Sequence, residues 1–498
     1  MTERSVKENT AAAPSALPPR IGSLRDNAIY KTILNVFNLL IPLLVTPHIT
    51  GLLTAEFYGL YNRAFNEFQY FFILGACGIY AYGVREMSRV RNDRAAVSRV
   101  LTSLFVISIG TNFIATVLYI GFFLLRSAPG EASVYAVFII QMLSNVFYLE
   151  FANEAMENYR FITLKTILIR LLYLGSIFLF VRRPGDLIPY AMVISLTVLL
   201  NNLISYVYLR RRLPFAWRNI EVRRHIKPLL VALLLTYVEM LFAQSDKTIL
   251  APFVGDISVT EYNVPYTLAG SIASVPLAMA TVATPRLANL IGEKKHDEYR
   301  ATLNSAVESY MVLMVPIAFG LAVLAPEIME YFTKGKYAYV WPIMAVTSLS
   351  RIVYAYQIIM SHLILYVNRM EKQLTIMLLI CGVINVGVDL ALAVLGVATP
   401  ISLMLTTIGA ILLFVVIGKI YTTRRGMRYR LITPRVAGYV LPSLLFIPIA
   451  YGIRSLALGI LPTIAIVIPA CALLYALWLI ITKDQFVARL FRRGHNNV

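Results

Sequence analysis

Residues 460–482 read ILPTIAIVIPACALLYALWLIIT, a run without a single charged side chain. An α-helix needs about 20 apolar residues to cross the hydrocarbon core of a bilayer, so this segment is long enough to span one. Similar apolar runs recur along the whole chain and are separated by short polar loops. The pattern predicts an all-α integral membrane protein with about fourteen transmembrane helices.

The overall composition supports a membrane protein. Of the 498 residues, 58% are hydrophobic and only 14% are charged, and the mean hydropathy is +0.71. Soluble domains usually carry about 25% charged residues, so most of this surface must face something other than water. The three cysteines lie inside apolar runs, at spacings that fit neither a metal site nor a disulfide framework. We therefore expect no metal, no cofactor and no water-soluble domain.

The basic residues predict the orientation in the membrane. The net charge is +19, which in a soluble protein would suggest nucleic acid, but here the basic side chains lie mainly in loops between apolar runs. If the N-terminus is cytoplasmic, 34 of the 45 lysines and arginines fall in cytoplasmic segments and 6 in outside loops. Positively charged loops stay in the cytoplasm and contact anionic headgroups, so both termini are predicted to be cytoplasmic. Nucleic acid is not expected as a partner.

The order of the spans predicts two similar halves. The second span begins near Tyr58 and ends at Arg85, and the eighth begins near Tyr262 and ends at Arg286, an offset of about 200 residues at both ends. Two related halves around a central cavity are a recurrent transporter plan. The predicted segments are a disordered cytoplasmic tail at 1–26, a six-helix bundle at 27–210, a basic cytoplasmic linker at 211–226, a second six-helix bundle at 227–420, two accessory helices at 435–482 and a cytoplasmic tail at 483–498.

Polar residues inside the predicted spans mark a candidate cavity. A charge at mid-bilayer costs roughly 2.5–3.5 kcal/mol even on the lenient insertion scale, so such residues usually face the bundle interior. Helical spacing aligns several of them in stripes, which a polar cavity between the bundles would explain together. The predicted substrate-binding residues are Lys31, Asn35, Asn38, Arg63, Asn66, Arg170, Lys247 and Arg351. The acids Glu150, Glu239 and Asp389 are candidates for binding a coupling proton or Na⁺.

The basic residues suit a diphosphate, because arginine can bind phosphate oxygens through two parallel hydrogen bonds. We expect Arg63, Arg170, Lys247 and Arg351 to point into one cleft between the two bundles. The alternative is structural pairing, for example of Arg63 with Glu67. Arg170 and Arg351 have no oppositely charged neighbour at helical spacing, which favours a functional role for these two.

Several segments, in this order, resemble the polysaccharide and O-antigen flippases of the multidrug, oligosaccharidyl-lipid and polysaccharide transporter superfamily. The matching segments are YGLY at 58–61, GIYAYGVRE at 78–86, FIT at 161–163, DKTIL at 246–250, Tyr262 and PRL at 285–287. Together they cover most of residues 27–425. The acidic-aromatic motif that many members carry near the end of the fourth span is only partly matched by YLEFANE at 148–154.

The resemblance implies two six-helix bundles that face each other in a V. It implies a flippase of the bacterial inner membrane that translocates undecaprenyl-diphosphate-linked oligosaccharides for surface polysaccharide biosynthesis, with no catalytic residues. It is also compatible with coupling to proton or Na⁺ exchange. The implied partners are the lipid-linked glycan, membrane lipids, a polysaccharide polymerase and a chain-length regulator, and the protein is expected to be a monomer.

Two other functions are compatible with a chain of this type. A multidrug exporter of the same superfamily would need an apolar or acidic cavity for organic cations, which the basic residues within the spans disfavour. A membrane-embedded glycan polymerase or ligase would need a large external loop or a catalytic cluster. The sequence shows neither a long outside loop nor a nucleophile or metal motif.

The orientation can be tested by cysteine labelling. We expect a membrane-impermeant thiol reagent added from outside to modify a cysteine at position 256 and to spare one at position 218, because loop 252–261 is predicted to be periplasmic and loop 210–227 cytoplasmic. The test is done in a background without the native cysteines. The reverse labelling pattern would overturn the predicted topology.

Overall fold

The computed structural model describes residues 24–125 and 127–484, and the described part is all-helical, which confirms the predicted fold class. The predicted tails at 1–26 and 483–498 lie mostly outside the described residues. The helices of the first bundle are α1 (Leu24–Leu52), α2 (Ala55–Ala76), α3 (Ile79–Arg89), α4 (Arg94–Tyr119), α5 (Pro129–Ser144), α6 (Glu150–Ala155), α7 (Tyr159–Phe180) and α8 (Leu187–Arg212).

The second half of the chain forms another bundle and a pair of added segments that pack against it. The helices of the second bundle are α9 (Val222–Phe253), α10 (Asp256–Gly292), α11 (His296–Val323), α12 (Ala325–Thr333), α13 (Trp341–Ile358), α14 (Glu371–Val394) and α15 (Pro400–Arg424). The accessory helices are α16 (Pro434–Leu444), α17 (Phe446–Arg454) and α18 (Ile460–Ile481).

Ten helices of the described residues are long and apolar enough to cross a membrane, which makes this a multi-pass membrane protein. Four further predicted spans correspond to α1, to α2 together with α3, to α9 and to α10. These helices carry many of the polar residues that the sequence places inside spans. The total of fourteen spans therefore stays a prediction.

Local sequence sets where several helices begin. Thr54 precedes α2 and its hydroxyl accepts a hydrogen bond from the N–H of Phe57. Asp93 caps α4 in the same way, and Thr399 with Ser402 forms a reciprocal capping box before α15. Each cap satisfies N–H groups that the first helical turn would otherwise leave unpaired.

The second predicted span is broken in the middle, between α2 and α3. Cys77 and Gly78 both adopt positive φ angles, 48° and 67°, which ends α2 with a left-handed turn. A Cβ on Gly78 would lie 2.7 Å from the Cβ of Ala232 and 2.9 Å from the backbone nitrogen of Leu233. Glycine is required here for both reasons, and its small size lets α9 approach the break closely.

The two bundles meet at one end of the molecule, which we call the closed end, through α2 and α10. A Cβ on Gly59 would lie 2.8 Å from the backbone carbon and oxygen of Asp256. Asn62 donates to the Thr260 hydroxyl at 2.9 Å and accepts from the Asn263 amide at 2.9 Å. Asn62 and Asn263 each follow a tyrosine and are 201 residues apart, so equivalent positions of the internal repeat meet face to face.

Loops and helix ends extend this contact. The Thr50 hydroxyl donates to the carbonyl of Phe332 at 2.7 Å, and the Lys336 ammonium donates to the carbonyl of Leu53. Both bonds join the end of α1 to the region around α12. The closed end is therefore held by main-chain and side-chain hydrogen bonds along two helix pairs.

The accessory helices are attached by a two-pronged ion pair. Arg454 Nε and Nη2 lie 2.5 and 2.7 Å from the two carboxylate oxygens of Glu327, and Nη2 also donates to the carbonyl of Val323 at 2.6 Å. The Tyr475 hydroxyl donates to the carbonyl of Val312 at 2.8 Å. Bidentate arginine–carboxylate pairs are strong and directional, so they fix the accessory helices against α11 and α12.

The predicted loop 252–261 is reduced to Val254 and Gly255 between α9 and α10, and Val254 is a better labelling position than residue 256. Asp256 has a side chain only 24% exposed and it pairs with Arg63 at 3.2 Å. Val254, in the same loop, is 43% exposed. A cysteine at position 254 therefore reports on the same loop without breaking an ion pair.

The close approach at Gly59 gives a conformational prediction. We expect Gly59→Val to hold the bundles apart at the closed end, because the added atoms would overlap the backbone of Asp256, and such overpacking costs about 1–3 kcal/mol. The separation can be measured as a longer distance between spin labels at positions 183 and 331. Gly110→Val is the matched control, since a Cβ there meets nothing within 4 Å. Equal distances in the two variants would contradict the prediction.

Candidate functional site

Two buried cations in the second bundle lie against the same aromatic ring. Lys247 on α9 has its Nζ 5.1 Å from the centre of the Tyr266 ring, and Arg351 on α13 has its Cζ 4.3 Å from that centre. Arg351 also lies 5.0 Å from the ring of Tyr354. Each cation is 7% exposed. The ring of Tyr266 thus brings together two of the predicted substrate-binding residues.

These two cations have few partners. Arg351 Nη2 donates to the carbonyl of Tyr266 at 3.2 Å, and Lys247 Nζ donates to the side-chain carbonyl of Gln244 at 3.1 Å. The buried Nε of Arg351 has no hydrogen-bond partner among the residues that the structure describes. Among the described residues, no carboxylate lies within 4.0 Å of either cation. Two like charges in a buried site repel each other, so this arrangement favours binding of an anion between them.

The cation pair lies beside the contact between the bundles. Thr248 follows Lys247, and its hydroxyl accepts a hydrogen bond from the Asn66 amide and lies within hydrogen-bond distance of the Tyr70 hydroxyl, both at 2.9 Å. Asn66 and Tyr70 belong to α2 of the first bundle. The buried Oδ1 of Asn66, another predicted site residue, has no hydrogen-bond partner within the described part of the chain. Any movement of α2 away from α9 would therefore change the surroundings of Lys247.

A pair of buried acids lies next to the cations. The Asp246 carboxylate is 2% exposed and accepts hydrogen bonds from Tyr262 at 2.5 Å and from Thr407 at 2.9 and 3.0 Å. Asp389 is fully buried. The Asn385 amide donates to Asp389 at 3.0 Å and to Asp246 at 3.5 Å, so one side chain bridges the two carboxylates.

The same cluster contains a side-chain amide oxygen that accepts no hydrogen bond from the described residues. Asn385 is 1% exposed, and none of the described residues forms a hydrogen bond with its Oδ1. The Thr406 hydroxyl donates to Asp389. Two carboxylates, an amide oxygen and threonine hydroxyls are oxygen ligands of the type that hard cations prefer. The cluster can therefore hold either a proton shared by the acids or a small metal cation.

The first bundle contains a separate polar cavity of about 500 Å³. Four tyrosines, four uncharged polar residues and three charged residues contribute to its wall, and five aliphatic residues complete it. These polar and aromatic residues are Tyr80, Tyr148, Tyr159, Tyr173, Asn38, Thr166, Thr197, Asn201, Glu150, Glu154 and Arg170. Aromatic faces beside amides and carboxylates are suited to sugars, whose rings have an apolar face and a polar edge.

The two acids of this cavity have hydrogen-bond or ion-pair partners, whereas its arginine has no acidic partner among the described residues. Lys165 Nζ lies 2.7 Å from Glu150 and donates to Ser205 at 2.7 Å, and the Tyr80 hydroxyl donates to Glu154. In the described ranges, no carboxylate approaches Arg170 to within 4.0 Å. Arg170 is therefore the cation of this cavity that is available to a ligand.

The structure distributes the described predicted site residues over four places, which are the cation pair, the first-bundle cavity, the acid cluster with Asp389, and the contact between the bundles with Asn66 and Arg63. Lys247 and Arg351 lie together, and Arg170 shares the first-bundle cavity with Asn38 and Glu150. The side chains of Lys31, Asn35 and Glu239 lie outside the described part of the structure.

Arg63 lies elsewhere, at the closed end. Its guanidinium pairs with Glu131 at 2.8 Å and with Asp256 at 3.2 Å, which joins the two bundles. The predicted alternative of a pair with Glu67 is not formed, because Glu67 instead accepts a hydrogen bond from the Tyr135 hydroxyl at 2.5 Å. Arg63 thus contributes to the contact between the bundles.

Some partners in the site have no signal in the sequence. Tyr354 and Thr407 are not among the predicted residues, and Asp246 is not predicted to pair with Asp389. These residues are far apart in the chain, as the separation of 161 residues between Asp246 and Thr407 shows. The sequence features that point to this cluster are the spacing of Asn385 and Asp389 on one helix face and the DKTIL segment that begins with Asp246.

Comparisons with known proteins identify the fold. The chain is similar to the lipid II flippase MurJ in its inward closed conformation, with a TM-score of 0.69, 15% identity, and coverage of 93% of this chain and 100% of that one. It is also similar to a MATE protein in complex with MaL6, with a TM-score of 0.57, 12% identity and coverage of 80% and 96%. It is also similar to a MOP superfamily transporter from Pyrococcus furiosus, with a TM-score of 0.56, 14% identity, and coverage of 80% of this chain and 93% of that one.

A search of curated protein sequences gives no significant match. The family model described as "Polysaccharide biosynthesis protein" matches residues 24–291, which is more than half of the chain and includes α1 through most of α10. The matched region contains the first-bundle cavity, the contact between α2 and α10 through Asn62 and Asn263, and the α9 segment with Asp246 and Lys247. The chain therefore belongs to the polysaccharide biosynthesis protein family.

Proposed function

We propose that this protein is a flippase that moves undecaprenyl-diphosphate-linked oligosaccharide units across the bacterial inner membrane for surface polysaccharide biosynthesis. The observation that carries the proposal is the pair of buried cations, Lys247 and Arg351, on the ring of Tyr266. A diphosphate would neutralise both charges and could accept hydrogen bonds from the free Nε of Arg351. Family membership supports a glycan as the cargo.

The polar cavity of the first bundle is proposed to bind sugars of the cargo. Its tyrosines offer stacking surfaces, and Asn38, Asn201 and Arg170 offer hydrogen-bond groups. With the phosphates at the second bundle, the cargo would contact both halves at once. Separation of the bundles at the closed end would then release it on the opposite side of the membrane. We also propose that both termini are cytoplasmic, as the distribution of basic residues predicts.

The acid pair is proposed to couple transport to a cation gradient. Asp246 and Lys247 are neighbours on α9, so binding of a proton or Na⁺ at Asp246 and Asp389 would alter the field at the adjacent cation site. It would also change the hydrogen bonds of Tyr262, four residues before Tyr266 on α10. A cation bound to the acids thus affects the same helices that hold the proposed phosphate site.

A multidrug exporter is the alternative that the fold admits, since the chain has the same architecture as a multidrug resistance MATE family transporter. Organic cations on the ring of Tyr266 would be repelled by Lys247 and Arg351, which have no carboxylate within 4.0 Å in the part of the chain that the structure describes, while the buried acids Asp246 and Asp389 lie beside this site. The alternative therefore has less support. A drug-resistance assay with the overexpressed protein would separate the two functions.

The main test is substitution of Arg351. We expect Arg351→Ala to abolish surface polysaccharide in a complementation assay, and Arg351→Lys to retain part of it, because lysine keeps the charge but not the planar fork that binds two phosphate oxygens. Loss of the charge removes a costly group from the membrane interior, so insertion should not suffer. Expression and membrane insertion are measured for each variant.

Arg425→Ala is the matched control. Arg425 also stacks on a tyrosine, with its Cζ 5.1 Å from the ring of Tyr421, but it is exposed just beyond the end of α15. It should leave polysaccharide export unchanged. Normal export with Arg351→Ala would exclude this residue as the phosphate ligand.

The coupling site is tested by the thermal stability of the purified protein. We expect Na⁺, or a lower pH if the coupling ion is a proton, to raise the melting temperature of the wild type and to leave Asp389→Asn unaffected. A ligand that binds the folded state at 100 times its Kd stabilises by about 2.7 kcal/mol. Asp297→Asn is the control, since its side chain is 97% exposed. An equal response of Asp389→Asn and the wild type would contradict coupling through this acid pair.

A further inference from the structure

A lateral groove lies between the beginning of α7 and the end of α8. It has a volume of about 610 Å³, within the range of about 300–1,000 Å³ that is usual for small-molecule sites. Five apolar or aromatic residues and two arginines line it. These residues are Phe161, Leu203, Ile204, Val207, Tyr208, Arg211 and Arg212.

The apolar wall of the groove is open to the surroundings. Ile204 is 36% exposed and Val207 is 43% exposed, and both belong to a helix long and apolar enough to cross the membrane. The rings of Phe161 and Tyr208 stack with their centres 3.6 Å apart and form a firm aromatic surface between the two helices. This wall is suited to a hydrocarbon chain.

Two arginines stand at the end of this wall, in the last turn of α8. The guanidinium of Arg212 lies 4.2 Å from the ring centre of Tyr208, and the carbonyl of Arg212 accepts a hydrogen bond from Arg94 at 3.0 Å. Both contacts hold Arg212 in place. Among the residues that the structure describes, no carboxylate lies within 4.0 Å of Arg211 or Arg212. The end of the groove therefore has uncompensated positive charge.

The groove is distinct from the proposed substrate sites. Helix α8 presents Thr197, Val198 and Asn201 to the polar cavity of the first bundle, and Leu203 and Val207 to the groove. Among the described residues the two sites share no lining residue, and the groove residues of α8 lie further along the helix than the cavity residues. The cations proposed to bind diphosphate are on α9 and α13, in the other bundle.

We propose that this groove binds one anionic phospholipid of the surrounding bilayer, with its phosphate between Arg211 and Arg212 and an acyl chain along Leu203, Ile204 and Val207. Charge complementarity identifies the headgroup, because arginine binds phosphate oxygens and no acid is among the described residues that line the site. The exposed apolar wall indicates that the other end of the ligand is a hydrocarbon chain. The bilayer supplies such lipids in excess directly beside the groove.

A lipid in this groove would act next to the linker between the bundles. Phe215 of the linker stacks on Phe105 with ring centres 4.9 Å apart, and Arg210 lies over the ring of Phe215 at 4.9 Å. The linker is thus docked on the same end of the first bundle. The bound lipid would hold the last turn of α8 where the linker begins, and this proposal does not depend on the identity of the cargo.

The test is native mass spectrometry of the full-length purified protein titrated with phosphatidylglycerol or with zwitterionic phosphatidylcholine. We expect one phosphatidylglycerol to bind more tightly than phosphatidylcholine. The double variant Arg211→Ala/Arg212→Ala should weaken this binding by at least about tenfold, since each direct hydrogen bond from a charged group to the phosphate contributes about tenfold or more. Val207→Trp should also weaken it, by filling the groove without changing the charge.

Arg210→Ala is the matched control, because Arg210 is in the same helical turn and has the same charge but does not line the groove. It should leave phosphatidylglycerol binding unchanged. Unchanged binding in the double variant and in Val207→Trp would overturn the proposal, as would an equal loss with Arg210→Ala, which would indicate only general surface charge. Displacement of phosphatidylglycerol by an equal concentration of undecaprenyl phosphate would also overturn it, because the groove would then serve the carried lipid.

Discussion

The absence of water in the hydrocarbon core is the constraint on which the rest of this structure depends. Each polar group on a spanning helix must find its partner within the protein, and a charge without one is costly. Helices α2, α9 and α10 carry such groups, and they pack against one another. The polar residues consequently lie between the bundles, where Asn62, Asn66 and Asn263 bond across the interface. The same constraint makes an incompletely satisfied group, such as Arg351, a strong indication of a ligand.

One turn of α9 contributes residues to two sites of opposite charge. Asp246 belongs to the acid cluster with Asn385 and Asp389, whereas Lys247 belongs to the cation pair with Arg351. Successive residues of a helix project about 100° apart, so neighbours in sequence reach different networks without moving the backbone. This geometry would provide a short physical connection between the proposed coupling ion and the proposed anionic cargo. The proposed coupling needs no pathway longer than this turn.

The closed end combines a strong contact with the possibility of opening. Its hydrogen bonds are mostly between neutral amides, hydroxyls and carbonyls, which contribute about 0.5–1.5 kcal/mol each. The pair of Arg63 with Asp256 is partly exposed and remains accessible to water. Contacts of this kind can be exchanged for bonds to water when the bundles separate. By contrast, Arg454 and Glu327 bind the accessory helices in a bidentate pair that keeps them with the second bundle.

The fold class and much of the membrane organisation follow from the amino-acid sequence alone. Apolar runs of spanning length require transmembrane helices whatever their neighbours are, since each helix satisfies its own backbone. The rarity of charge inside such runs also makes Arg170, Lys247 and Arg351 recognisable as candidate site residues. Helical spacing further identifies Asn385 with Asp389, because both lie on one helix.

Which of these residues act together depends on the packing of the helices. Packing places Lys247 and Arg351 on Tyr266, brings Asp246 next to Asp389, and gives Arg63 a role between the bundles. Helical periodicity specifies the face of one helix, but it contains no information on which helix that face meets. Asp246 and Thr407 are 161 residues apart along the chain, and such partners meet only through the packing of α9, α10, α13, α14 and α15.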